Sequence, residues 1–387
     1  MLSTNRGTKV PKARSKLFLG TAGLLSFSLA LAGVATSASA SSTPKATAGQ
    51  EVAAAKKFVA PFLKVPTTIG VKVPLKTAPP KHKLFIYFEC DVSQCAVENT
   101  SLAQAAALVG WRYKAITYQD ANPATLVAAM AQGLQMKPAA VALSGIPEVL
   151  WATQYAAYKA AHVPIITGYE GPETTKFPII GNIGGPSDVG KFGTIVANWL
   201  IAHSNAKANV LSVEVSSYPI LQVGSNKFAS TLAAGCKACK LTALDLTIPE
   251  IMSGAVNSTI VTALQRDPTI KYVYMCDGAF ADGLTSALNA AGLSNIQIVG
   301  QAADTTQLTA LKAGNTAIKA FTALALNYGS YLMIDLAARW MEGMKASPSD
   351  GGLPAQLLVH GGTFKVSDSF DQPANFRAQF KKLWKLG

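Results

Sequence analysis

The chain has 387 residues, of which 49% are hydrophobic and 14% are charged. This length is enough for two α/β domains with extensions, and this composition excludes a globally disordered chain. The formal net charge is +13, but the Lys residues are scattered rather than clustered, so we expect a solvated surface and no nucleic-acid partner.

The first 40 residues follow the three-part pattern of a secretory signal peptide. A basic stretch without acids precedes an apolar run over 17–35, and Ala38-Ser39-Ala40 then fits a cleavage site. We expect residues 1–40 to be removed and the mature chain, beginning near Ser41, to be secreted or held in the cell envelope. The alternative is an uncleaved membrane anchor, because the apolar run approaches spanning length. No Cys precedes Cys90, so lipid attachment at the cleavage site is not expected.

Residues 41–80 are rich in Ser, Thr, Pro, Lys and Ala. Their one periodic stretch is a short helical patch over Glu51–Phe62. We expect a Pro-rich N-terminal arm, which either acts as a linker or lies on the domain that follows.

From Lys83 onward, short apolar strands alternate with amphipathic helices. The first series predicts strands over 84–88, 113–118, 139–143 and 163–167, and helices over 96–109, 123–135 and 147–161. The second predicts helices over 188–203, 220–234, 254–265, 281–291 and 328–344, and strands over 209–215, 241–246, 272–275, 296–299 and 318–322. Repeated β-α-β units form parallel sheets with helices on both faces. We therefore predict an α/β fold of two doubly wound parallel-sheet lobes, with ligand bound beyond the carboxyl ends of the strands.

The order and spacing of these segments resemble type I periplasmic binding proteins, the sugar-binding branch that includes ribose-binding protein. The resemblance spans about residues 82–345, and it is carried by 105–118, 120–123, 138–143, 160–166, 267–275 and 287–299. The chain also looks like secreted actinobacterial relatives that have a Pro-rich arm and paired cysteines. The resemblance implies a Venus-flytrap receptor whose lobes close on a small molecule and which feeds an ABC importer through its permease.

A three-segment hinge is also implied by the resemblance. Gly-rich crossings absorb large φ/ψ changes during closure, and the candidates are 181–185, 323–327 and 359–362. We accordingly expect lobe 1 to comprise residues 81–182 plus 326–358, and lobe 2 to comprise 183–325 plus 359–387.

The five cysteines form two close pairs and a single residue. In an exported chain the spacing predicts local disulfides between Cys90 and Cys95 and between Cys236 and Cys239, with Cys276 free. A redox CxxC motif follows a strand and opens a helix, whereas Cys236 and Cys239 follow a predicted helix and precede a predicted strand. No His lies nearby at ligand spacing, so no zinc site is expected.

Motifs for catalysis are incomplete in this sequence. Gly185–Lys191 nearly matches a phosphate-binding loop, but Phe192 replaces the Ser or Thr that would ligate Mg²⁺. None of the four His residues follows a strand beside a Ser or Cys nucleophile. We therefore expect no enzymatic activity, no cofactor and no metal.

The candidate ligand contacts are polar and aromatic residues at the carboxyl ends of predicted strands and at the second crossing. They are Glu89, Asp91, Ser144, Tyr169 and Glu170 in the first lobe, Ser217, Tyr218, Asp277, Phe280 and Asp304 in the second, and Asn327 and Tyr328 at the crossing. Carboxylates and amides would hydrogen-bond ligand hydroxyls, and aromatic rings would stack on a ring face. Some could instead cap helices, as expected for Asp277 and Asp91.

Several contact positions depart from the sugar-binding pattern of the family. Tyr169 and Glu170 stand where an Asp-Arg pair typically follows the fourth strand, and only Asp277 remains of a usual Asn-Asp pair. These departures make an aromatic or partly apolar ligand as plausible as a sugar. We predict a monomeric, exported solute-binding protein that serves an ABC importer. The alternative is a secreted ligand-sensing or envelope-binding module that is not coupled to transport.

Overall fold

The computed structural model describes residues 46–171, 176–344 and 352–387. The expected signal peptide and the first residues of the arm lie outside these ranges. The helices are α1 Ala48–Val59, α2 Ser93–Leu108, α3 Pro123–Gln135, α4 Tyr155–Ala160, α5 Pro186–His203, α6 Pro219–Gly235, α7 Ile248–Met252, α8 Val256–Arg266, α9 Leu284–Ala290, α10 Thr305–Ala313, α11 Leu326–Met341 and α12 Phe376–Leu383. The strands are β1 Leu84–Glu89, β2 Arg112–Thr117, β3 Ala140–Ser144, β4 Ile165–Gly168, β5 Ile179–Ile183, β6 Asn209–Glu214, β7 Lys240–Asp245, β8 Tyr272–Met275, β9 Gln297–Ala303, β10 Ile318–Ala323 and β11 Leu357–Val359.

The first sheet is parallel throughout, in the order β2-β1-β3-β4-β5. Strand β1 is a continuous apolar run in which alternate side chains enter two different cores. Phe85 and Tyr87 pack with α2 and α11, while Ile86 and Phe88 pack with α3 and α4. A strand that is covered on both faces is apolar along its whole length. This local signal is the reason that β1 could be predicted from the sequence.

The second sheet has the order β11-β10-β9-β8-β6-β7, and every neighbouring pair is parallel except β10 with β11. Helices α5 and α6 pack against each other beside this sheet. They approach so closely that a Cβ on Gly193 would lie 2.3 Å from the carbonyl oxygen of Gly224. The predicted α/β fold of two doubly wound sheets is confirmed.

The crossings between the sheets differ in part from the expected hinge. Residues 181–183 belong to β5, so the first crossing starts at Gly184. The second crossing is the short link between β10 and α11, as predicted. Leu357 and Leu358, expected in lobe 1, instead pair with Thr322 and Phe321 in the second sheet. The return crossing therefore precedes β11 and does not lie at 359–362.

The single helix predicted over 147–161 is wrong. The structure has 3-10 turns at Glu148–Leu150 and Ala152–Gln154, followed by the short helix α4. Between the two turns Trp151 adopts φ −130°, buries its indole completely and donates a hydrogen bond from Nε1 to the Ile146 carbonyl at 3.3 Å. Anchoring this indole in the core interrupts the helical backbone.

The N-terminal arm is docked along the protein. Helix α1 packs on α5 of the second lobe, and Glu51 Oε1 accepts a hydrogen bond from the Lys237 amide at 3.1 Å. Farther on, the Ile69 amide donates to Gln379 of α12 at 3.0 Å, and the side chain of Leu75 is buried. Helix α12 was expected in lobe 2, but it packs on α11, which covers the first sheet.

A buried ion pair joins α11, α12 and the arm. Arg339 Nε donates to Asp335 Oδ2 at 2.5 Å, and Trp384 Nε1 donates to the other carboxylate oxygen at 2.8 Å. Arg339 also donates from Nη2 to the Val73 carbonyl at 2.6 Å. Burial raises the pKa of Asp335, and the hydrogen bonds and charge of Arg339 together with the Trp384 indole oppose that rise.

Disulfides join Cys90 to Cys95 and Cys236 to Cys239, and Cys276 is free and buried. This pairing confirms the prediction from spacing. In the described part of the chain, no helix combines the length and apolar character that crossing a membrane requires.

Candidate functional site

A cavity of about 330 Å³ lies where the carboxyl ends of the two sheets face each other. The loops that follow β1, β3 and β4 line it from the first lobe, and the loops that follow β6, β7 and β8 line it from the second. Loops gather at this edge because all strands of a parallel sheet end there. Side chains from both lobes therefore line the cavity.

The wall from the first lobe contains the Cys90–Cys95 disulfide, Glu98, Ser144 and Tyr169. Ser144 ends β3, and Tyr169 directly follows β4. Only glycine fits at position 168 between these two residues, because a Cβ there would lie 2.7 Å from the Ser144 Oγ. The hydroxyls of Ser144 and Tyr169 are buried, and neither has a hydrogen-bond partner of good geometry among the described residues. The Ser144 side chain interacts with Glu98 and Tyr87, and the Tyr169 hydroxyl packs against Gly329.

Glu98 is the most deeply buried carboxyl of the cavity, with 1% of its surface exposed. Tyr87 donates a hydrogen bond to its Oε2 at 2.7 Å, while Oε1 has no partner among the described residues. Burial raises the pKa of Glu98 to about 7, against the opposing effects of the Tyr87 and Ser144 hydroxyls. The group can therefore exist in either protonation state near neutral pH.

The wall from the second lobe contains Tyr218, Asp277, Phe280 and Gln301. Asp277 accepts a hydrogen bond from the Ala279 amide at 3.0 Å. Asp277 is half-buried. Desolvation, with a smaller contribution from the carboxylates of Asp304 and Asp282, raises its pKa to about 7, although the Ala279 amide favours the ionised form. Gln301 Nε2 donates to the Cys276 carbonyl at 2.9 Å, and its Oε1 has no partner among the described residues.

Apolar side chains make up more than half of the lining. They come mainly from the second lobe, and include Val189, Phe192, Ile220, Ile251 and Met252. A mostly apolar cavity with a few convergent polar groups is typical of small-molecule sites. Among the described residues, no group of three or more His, Cys, Asp or Glu is arranged to hold a metal ion.

The structure brings five of the twelve predicted contacts together around the cavity: Ser144, Tyr169, Tyr218, Asp277 and Phe280. Asp277 both lines the cavity and caps the turn that follows it. Its two expected roles, ligand contact and cap, are therefore compatible.

Three acidic candidates lie outside the cavity lining. Asp91 accepts a hydrogen bond from the Asp120 amide at 3.1 Å, and Asp304 caps α10 by accepting one from the Thr306 amide at 2.7 Å. Glu170 is buried outside the cavity lining, where burial raises its pKa well above the ordinary value.

The other four candidates also lie outside the lining. Glu89 is half-buried at the end of β1, and Ser217 is exposed. Asn327 donates to Asp371 at 3.0 Å. The Tyr328 hydroxyl accepts a hydrogen bond from the Gly70 amide at 3.0 Å, so this residue fastens the arm to α11.

Sequence reasoning missed Glu98, Asp120 and Gln301, all of which line the cavity. A signal for Glu98 was present in α2, where it shares a buried stripe with Cys95 and Leu102. A carboxylate on the apolar stripe of a helix needs a special environment. Gln301 carried no such signal, because β9 extends beyond the predicted end of the strand.

No family model matches the chain, and no curated protein matches it. Solved structures do. An ABC sugar transporter subunit from Rhodobacter sphaeroides 2.4.1 is 18% identical, with a TM-score of 0.63 over 72% of this chain and 99% of that one. A solute-binding protein from Agrobacterium vitis with bound allitol is 16% identical, with a TM-score of 0.62 over 77% and 99%. A 5-methylthioribose transporter solute-binding protein from Thermotoga lettingae TMO is 15% identical, with a TM-score of 0.63 over 75% and 89%. The chain thus has the two-lobe fold of the type I periplasmic solute-binding proteins, as the sequence resemblance implied.

Proposed function

We propose that this protein is an exported solute-binding receptor that captures a small organic molecule between its lobes and delivers it to an ABC importer. The observation that carries the proposal is the cavity between the carboxyl ends of two parallel sheets, with polar groups from each lobe. Open α/β sheets bind ligands at this edge. Similar structures include transporter solute-binding proteins with allitol and 5-methylthioribose bound, which supports the same kind of role here.

The proposed contacts are Ser144 and Tyr169 in the first lobe and Tyr218, Asp277 and Phe280 in the second. A ligand that touches both lobes has a higher affinity for the closed arrangement than for the open one. Removal of a contact from either lobe should therefore weaken binding.

A thermal-shift screen of the mature chain against sugars, polyols, amines and small aromatic compounds should identify the ligand. A ligand that binds only the folded state raises Tm. Calorimetry on the hit should then compare Tyr169→Phe and Tyr218→Ala with Ser217→Ala, whose exposed side chain does not line the cavity. We expect the tyrosine variants to weaken binding about tenfold or more and the serine control to leave it unchanged. An unchanged affinity would contradict a hydrogen bond from the Tyr169 hydroxyl in the first variant and contact with the Tyr218 side chain in the second.

Export and coupling to transport have separate tests. N-terminal sequencing of the protein from the culture medium or envelope should find a chain that begins near Ser41. Deletion of the gene should abolish uptake of the labelled ligand at low concentration. If binding is intact but uptake survives the deletion, the protein is a sensing or envelope module and not an importer component.

A further inference from the structure

We propose, on the basis of the receptor role above, that the ligand is an organic cation: a protonated amine carried on a small apolar body. The acidic members of the cavity lining are Glu98, Asp120 and Asp277. Among the described lining residues there is no Lys, Arg or His. The cavity is therefore acidic, although the whole chain has a net charge of +13.

The carboxylate oxygen of Glu98 that has no partner among the described residues indicates a ligand with a positive charge. The side chain is 1% exposed, and its Oε1 has no partner among the described residues. A buried charge is stable only when it is paired, and a buried polar atom only when it is hydrogen-bonded. A protonated amine supplies both, because an ammonium group has up to three donors and one positive charge.

The other polar atoms of the lining fit an ammonium group better than a polyol. Gln301 Oε1 is an acceptor without a partner among the described residues, and the hydroxyls of Ser144 and Tyr169 can also accept. A polyol offers as many acceptors as donors, and no described lining cation is available to its oxygens. An amine has donors alone once protonated, so it leaves no oxygen of its own unsatisfied.

The rest of the lining describes the body of the ligand. The rings of Phe192, Tyr169, Tyr218 and Phe280 belong to the lining, and aromatic faces attract organic cations as well as apolar groups. The cavity volume of about 330 Å³ lies at the lower end of the range of about 300–1,000 Å³ that small-molecule sites occupy. The volume suits a compact ligand, and the aromatic and apolar lining favours a ring or a short alkyl group over a sugar.

The test uses matched pairs that differ in charge. Thermal shift and calorimetry should compare 2-phenylethylamine with 2-phenylethanol and cyclohexylamine with cyclohexanol, within panels of amines and neutral analogues that include ribose and allitol. We expect Tm to rise with amines and not with their alcohols. Glu98→Gln and Asp277→Asn should weaken amine binding by about ten- to a hundredfold. Glu89→Gln should leave it unchanged, because Glu89 lies outside the lining.

The outcomes separate this inference from the receptor role. A rise in Tm with neutral sugars or alcohols alone, retained in Glu98→Gln, overturns the cation inference and leaves the receptor role standing. Amine binding that survives both carboxyl variants unchanged overturns the assignment of these residues. No rise with any member of either panel contradicts both proposals.

Discussion

Replacement of Glu98 by Gln should stabilise the ligand-free protein above neutral pH. The carboxyl is buried, accepts one hydrogen bond from Tyr87 and leaves Oε1 without a partner among the described residues. Gln has nearly the same shape, and its amide oxygen can accept the same hydrogen bond. The substitution removes the buried charge without creating a cavity.

The size of the effect follows from the pKa of Glu98, which burial raises from 4.5 to about 7. At about 1.4 kcal/mol per pKa unit, this difference amounts to about 3 kcal/mol. Between the two values the folded state binds more protons than the unfolded state, so the free energy of unfolding falls as pH rises. The contribution is fully present below about pH 4.5 and is lost as pH rises through about 7.

Urea denaturation at about pH 5 and about pH 8 measures this difference. We expect Glu98→Gln and the wild type to have similar free energies of unfolding at the lower pH, and the variant to be more stable by about 3 kcal/mol at the higher. Glu89→Gln is the matched control, since a half-buried carboxyl keeps contact with water. Parallel pH profiles for Glu98→Gln and the wild type would refute the reasoning.

Three further predictions concern stability and covalent structure. Alkylation of the native protein should leave Cys276 unmodified because it is buried, and alkylation of the denatured, unreduced protein should label that cysteine alone; a second labelled cysteine would contradict the pairing. Asp335→Ala should lower the free energy of unfolding by about 3–5 kcal/mol in urea, because Arg339 and Trp384 lose their buried partner; a loss below about 1 kcal/mol would contradict this. Leu75→Ala should cost about 2–5 kcal/mol and expose the arm to limited proteolysis, since Leu75 is 1% exposed; a loose linker would show neither effect.

The alternation of strands and helices could be predicted from the sequence because both signals are local. Strand β8 and helix α3 have the predicted boundaries. A parallel strand covered on both faces is apolar along its whole length, and a helix that covers it is amphipathic. Short or atypical segments carry weaker signals. Helix α10 follows its capping residue Asp304, and α12 lies beyond the last predicted element; neither was predicted.

Only the tertiary structure decided which strand-end residues meet in the cleft. Ser217 and Tyr218 are neighbours in the sequence, yet Tyr218 lines the cavity and Ser217 does not. Tyr328 had the expected residue type, but its hydroxyl is engaged by the arm. Glu98 lies inside a helix and not at a strand end, and it reaches the cavity because α2 packs beside β1 and β2. The sequence by itself determined the series of elements and the local disulfides, because these depend on neighbours along the chain. The lining of the cleft depends on how two sheets and their helices pack across it, and that packing joins residues far apart in sequence.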